Sequence, residues 1–226
     1  MPTINVNRTG KGTGVISSNF NTARTSNAAS VVDSVTGTET NVVQYFSSSG
    51  RGGGTKRFKR AFLHFDTSGI TSELSAAHID VGMGTTTIGD PNDTIMVKST
   101  AFGGDGGTAL ATTDFFSSID YSTAYSTELT SPSTGNNEYT LTSAALTDIE
   151  NNDHFTLALI EHDNDFANSD QGDGAYDITV DFDTTITLDY TLVPTGYTHD
   201  VIGVDSSNLS KVIGIATANI SKVIGV

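Results

Sequence analysis

The chain has 226 residues, a net charge of −15, and neither cysteine nor tryptophan. Without cysteine there is no disulfide, zinc–thiolate site or thiol nucleophile, and so acidic a chain disfavours general binding to a phosphate backbone. The length suffices for one well-buried domain plus an appendage, so no staple is needed to make up for a small core.

From the N-terminus, MPTINVNRTG shows no apolar stretch of the kind a secretory signal carries. No run of about 18 apolar residues follows it. The expectation is a product made in the cytosol, with no membrane contact and no direct nucleic-acid partner. Gly, Ser, Thr, Asn and Asp dominate the polar residues, a usage that suits strands joined by turns.

Taken in order, NVVQYFS reads as a first clear strand, followed by the glycine-rich loop 47–55. In RAFLHFD, Ala61, Leu63 and Phe65 fall on one face, and in AHIDVGM, Ile79, Val81 and Met83 do the same. TIMVKSTAF continues the series. FGGDGGT (102–108) reads as a turn, because it lacks the lysine and the strand–loop–helix setting of a phosphate loop. Only the segment around Ala144–Asn151 suggests a helical turn or two. In HFTLALIEHD, Phe155, Leu157 and Leu159 alternate with His154, Thr156 and Ala158. The alternation is clearest in DITVDFDTTITLDYTL, where Ile178, Val180, Phe182, Ile186, Leu188, Tyr190 and Leu192 share one face and several aspartates the other. One side packs and the other meets water. Many short strands between turn residues predict an all-β chain, an antiparallel β-sandwich of the jelly-roll kind over residues 1–192.

VPTGYTHD (193–200) breaks the pattern and reads as a linker. The tail 201–226 then carries a repeat: VIGV, VIGI and VIGV begin at Val201, Val212 and Val223, eleven residues apart. β-branched residues and a glycine in each unit argue for short strands with turns rather than a helix. Units this short cannot bury their own apolar side, so Val201, Ile202, Val212, Ile213, Val223 and Ile224 are candidate assembly contacts. They pack either on their own domain or, as favoured here, between chains.

Charge adds a second assembly candidate. Residues 1–60 carry eight basic and two acidic side chains, whereas residues 61–226 carry three basic and 24 acidic. Arg51, Lys56, Arg57, Lys59 and Arg60 form one basic stretch. It could face the acidic surface of a neighbouring subunit and set orientation more than affinity.

Signals for chemistry are sparse. The histidines at 64, 78, 154, 162 and 199 form no HExxH or other close ligand pair. His64 and His154 lie on strand patterns and read as surface or satisfied core residues. No GxSxG elbow occurs. The acidic loop HDNDFANSDQGDGAYD places Asp163, Asp165, Asn168, Asp170, Asp173 and Asp177 close together. Hard oxygen donors at this density suit a structural Ca2+. The alternative is a plain solvated loop, and the spacing is not that of an EF-hand. Tyr121 and Tyr125 could form a sugar-stacking platform, though a core or rim role is the plainer reading.

The stretch RFKRAFLHFDTSGITSELSAAHIDVGM resembles the opening of DNRLRE-type, carbohydrate-binding-module-like β-sandwich domains, through Arg60, Leu63, Phe65, Asp66, Ser68, Ile70, Ala77 and Ile79. YTLTSAALTDIENNDHFTLALIEHD and TTITLDYTL are similar to that family's last strands. The C-terminal Ile-Ser-Lys-Val-Ile-Gly-Val units resemble repeats of marine bacteriophage structural proteins. Together the two imply a non-enzymatic virion protein, such as a capsid decoration, fibre or tail component. It would assemble in the host cytoplasm with copies of itself or with other virion proteins. A carbohydrate-binding or surface-adhesion module, with or without calcium, and an extracellular filament subunit are the alternatives.

Overall fold

The computed structural model describes residues 1–50, 54–84, 93–182, 186–193, 211–212 and 215–216. The chain divides into two compact units, Met1–Thr191 and Leu192–Val226.

In chain order the first unit contains β1 (Thr3–Asn5), β2 (Arg8–Gly14), α1 (Phe20–Thr25), β3 (Ala28–Asp33), β4 (Thr38–Ser48) and β5 (Thr55–Asp66). Then come β6 (Leu74–Met83), β7 (Thr94–Ser99), α2 (Asp114–Ser117), β8 (Ile119–Ala124), β9 (Gly135–Thr140) and α3 (Ser143–Asn151). β10 (His154–Glu161), a π-helical turn at His162–Phe166, β11 (Gly174–Asp181) and β12 (Thr187–Leu192) complete it. The unit is all-β, and the paired strands are antiparallel. The segment expected to make a helical turn is α3. Thr142 caps its N-terminus, and Ala145 and Ile149, one turn apart, face the core.

β5 organises the sheet. It pairs with β2 along residues 59–64 and with β10 along 61–66, so these two strands lie on opposite edges. β4 pairs with residues 55–59 and sits across Lys59 from β2, so β4 and β10 share one edge between them. From that fork one arm runs β10-β7-β8. The other runs β4-β11-β6, with β12 and β1 beyond it and β9 paired to β6.

Side chains from both arms meet in one buried cluster that includes Val43, Leu63, Phe65, Ile79, Val81, Leu157, Val180 and Leu188. The faces predicted for 61–65, 79–83 and 178–188 all point into it. A second cluster occupies the other face of β5, β7 and β10, through Phe58, Phe62, Val97, Ala158 and Ile160. Ala23 of α1, Phe115 of α2, and Phe102 and Leu110 of the segment between β7 and α2 close it over. β10 therefore departs from the expected alternation. Every residue from Phe155 to Glu161 is buried, because the strand is sandwiched between the two clusters.

β2 supplies the space for that cover. Its sequence RTGKGTG puts glycine at every second position, and a side chain at Gly12 would bring its Cβ within 2.5 Å of Phe115 Cδ2. Gly12→Ala is expected to force the Phe115 ring aside and to destabilise the unit by about 1–3 kcal/mol, measured by urea unfolding.

In the second unit, β13 (Lys211–Val212) pairs antiparallel with β14 (Ile215–Ala216), with Val212 opposite Ile215. Both strands come from the repeat region.

Candidate functional site

The loop after β10 folds around charge rather than exposing it. Glu161 accepts hydrogen bonds from the backbone N–H groups of Asp163, Asn164 and Asp165 at 2.7–3.0 Å, and from Asn164 Nδ2 at 3.1 Å. This tight turn drives Asp165 inward, where it is completely buried. Arg60, also completely buried, grips it with Nε to Oδ2 at 2.6 Å and Nη2 to Oδ1 at 2.8 Å. The guanidinium also donates to the carbonyls of Phe115 at 2.5 Å and Arg24 at 2.9 Å. Arg24 donates to the Asp165 carbonyl at 2.7 Å, and its guanidinium lies 4.2 Å from the Tyr121 ring centroid. Tyr121 in turn donates to Asp165 Oδ1 at 3.1 Å. Burial pushes the Tyr121 hydroxyl well above its ordinary pKa and raises the Glu161 carboxyl to about 7. This lock ties β5, α1, β8 and the β10 turn together.

Four of the six candidate calcium ligands take separate protein partners. Asp165 belongs to the lock, and Asp163 accepts from His162 Nδ1 at 2.9 Å if that nitrogen carries the proton. Asp170 accepts from Lys56 Nζ at 2.7 Å and Tyr45 Oη at 2.8 Å, and Asp173 from Ser47 Oγ at 3.3 Å. Asn168 is exposed with a φ of 53°. No three of the four aspartates bring oxygens within 4.8 Å of one another.

The basic stretch is similarly dispersed. Arg60 cannot present charge to a neighbour, because the lock encloses it. Lys56 is held by Asp170, Arg57 donates to Gln44 Oε1 at 2.9 and 3.1 Å, and Lys59 is half-buried on β5. Arg51 lies outside the described residues. So do Val201, Ile202, Ile213, Val223 and Ile224, whereas Val212 is in β13. Tyr121 and Tyr125 do not form a platform. One ring covers Arg24, and the other stacks on Phe155 at 4.8 Å and is 2% exposed.

Two clefts meet at His154. One, of about 460 Å3, runs past Lys98, Tyr125, Asp148, Asn152 and Thr156. The other, of about 400 Å3, is bounded by Asn7, Arg8, His64, Asp66, Asp105 and His154. Strand register builds the second. Asp66 on β5 is directly opposite His154 on β10, and His64 is opposite Thr156. All four side chains share one face, and the two imidazoles stack with centroids 5.5 Å apart. The glycine-rich segment 102–108 covers this end. Its Gly106 carbonyl accepts from Arg8 Nη1 at 2.7 Å, while Arg8 also forks onto Asp33 at 2.6 and 3.0 Å. Burial and the neighbouring His154 lower the pKa of His64.

Two further groups bring three ligand atoms within 4.8 Å: His78, Asp80 and Asp189 on the face of β6 and β12, and Glu128, His162 and Asp163 beside the π-helical turn. None of these clusters was apparent from spacing, since each draws on segments distant in sequence. Compared with models of known protein families and with curated proteins, the chain matches none.

Proposed function

We propose that the protein is a non-enzymatic structural component of a virion, a capsid decoration, fibre or tail part that works by assembling with copies of itself or its neighbours. In this reading the first unit is a rigid jelly-roll sandwich whose two sheets are the arms diverging from β5. The C-terminal repeats are the docking element.

One observation carries it. The tail is a compact unit of its own, and its described strands are two-residue pieces paired as β13 and β14. A lone two-stranded hairpin is marginal in water at best, and the valines and isoleucines of the repeats gain stability only where another surface covers them. The resemblance of the repeats to phage structural proteins supplies the setting. A sugar-binding role has less support, because the aromatic rings it would use are spent on Arg24 and Phe155.

Deleting residues 201–226 is expected to leave the melting temperature of the β unit unchanged while converting assemblies into monomers. Light scattering coupled to size-exclusion chromatography reads this directly. A truncated chain that assembles like the full chain would remove the tail from the mechanism.

A further inference from the structure

We propose that His64, His154, Asp66 and Asp105 form a site for a divalent first-row transition-metal ion, with His64 as its fixed anchor. The starting point is a hydrogen-bond direction. The Thr156 hydroxyl has one proton, and it donates that proton to the Gly104 carbonyl at 3.1 Å. Its 2.7 Å contact with His64 Nδ1 must therefore run the other way, with Nδ1–H as donor. That fixes the tautomer and leaves a lone pair on Nε2.

His64 is only 4% exposed, and its Nε2 has no hydrogen-bond partner among the described residues. A buried acceptor left unsatisfied costs about 1–3 kcal/mol, so the position favours an occupant that takes the lone pair. Gly106 lies over the face of the ring at Nε2, where a Cβ would come within 2.4 Å of that atom, and both residues line the 400 Å3 cleft. Gly106 has a φ of 76°, so the residue there is glycine on two counts.

The surrounding groups suit a cation. His154 and Asp66 stand beside His64 on the same face of β5 and β10. Asp105 reaches in from the loop, using Oδ1 to accept from Gly107 N at 2.8 Å. Asp66 uses Oδ1 for both Ser68 donors, leaving Oδ2 without a hydrogen bond among the described residues. The one arginine lining the cleft, Arg8, is committed to Asp33 and the Gly106 carbonyl. Two imidazoles with carboxylates make a donor set for zinc and its neighbours. An imidazole whose other nitrogen donates to a fixed acceptor is the usual arrangement behind a metal-ligating histidine. No three of these ligand atoms now lie within 4.8 Å of one another. The ion is gathered by rotation of the exposed His154 and Asp105 side chains toward the immobile His64.

The test uses the full chain freed of metal and titrated with Zn2+ by calorimetry and with Co2+ by visible absorption. One ion per chain is expected, with 15N NMR showing the shift at His64 Nε2. His154→Ala removes an exposed side chain and is expected to weaken binding at least tenfold. Thr156→Val, which frees the tautomer, is expected to weaken it about tenfold. His78→Ala and His162→Ala probe the two other clusters and are expected to leave that affinity unchanged. The proposal is overturned by no stoichiometric binding at millimolar metal, by unchanged affinity in His154→Ala, or by loss confined to His78→Ala or His162→Ala.

Discussion

Replacing Arg60 with methionine is expected to lower the unfolding free energy by about 3–5 kcal/mol, the cost typical of breaking one side of an enclosed ion pair. Methionine fills much of the volume, so lost packing is not the main effect. The main effect is an Asp165 carboxylate cut off from solvent, left with the Tyr121 hydroxyl and with Arg24, whose Nε is 3.3 Å from Oδ1. Two carbonyls, those of Phe115 and Arg24, also lose their donor. Asp165→Asn keeps the shape but leaves the guanidinium uncompensated, and should be damaging for the mirror-image reason. Because each single change strands the other partner, the double variant is expected to cost less than the sum of the two, by about 2 kcal/mol. Urea unfolding of the four proteins yields this coupling. Additive effects would mean that the pair does not act as a unit. The loss should also be nearly independent of salt, since counter-ions do not reach completely buried groups.

The lock shows where sequence pattern stops being informative. The strands 61–65, 79–83 and 178–188 were legible because a period of two reports directly which face meets apolar neighbours. β2 was not, because Gly10, Gly12 and Gly14 give its packed face no hydrophobic signal. They face Phe102, Leu110 and Phe115, residues about a hundred positions away. Arg60 looked like part of an exposed basic run and Asp165 like one of several loop ligands. Their pairing follows from the π-helical turn, which Glu161 sets by binding three successive N–H groups. Likewise His64 looked like an ordinary strand histidine, since nothing near it in sequence announces the glycine loop that covers it. Local alternation gave the strands, while the charged and histidine sites arise from crossings that local pattern does not contain.

Glu161 gives the lock a pH dependence with a definite sign. Its carboxyl is held near pH 7 by burial, and Asp165 close by adds to the upward push, against the four N–H donors that favour ionisation. An unfolded glutamate titrates near 4.3, so between that pH and about 7 the folded protein binds more protons than the unfolded chain. Stability contributed by this group is therefore fully present below the unfolded value and is lost as pH rises through 7. The shift corresponds to at most about 4 kcal/mol. His64 acts oppositely over part of the same range. Its lowered pKa makes the unfolded chain the better proton binder just below the ordinary histidine value, so its contribution rises with pH. The paired carboxylates of Asp33, Asp148 and Asp170 are held below their usual range and lose their contribution only in more acidic solution. Comparison with Glu161→Gln separates these effects, because His64 and the aspartates titrate in both proteins and cancel in the difference. The amide turns an NH2 toward a backbone donor and is expected to cost about 1–2 kcal/mol in its own right. Its stability curve should nonetheless run flatter from pH 5 to 7.5, so that wild type loses up to about 3 kcal/mol more over that interval. Parallel curves would place the Glu161 proton elsewhere, and with it the reason that the turn holds Asp165 inside.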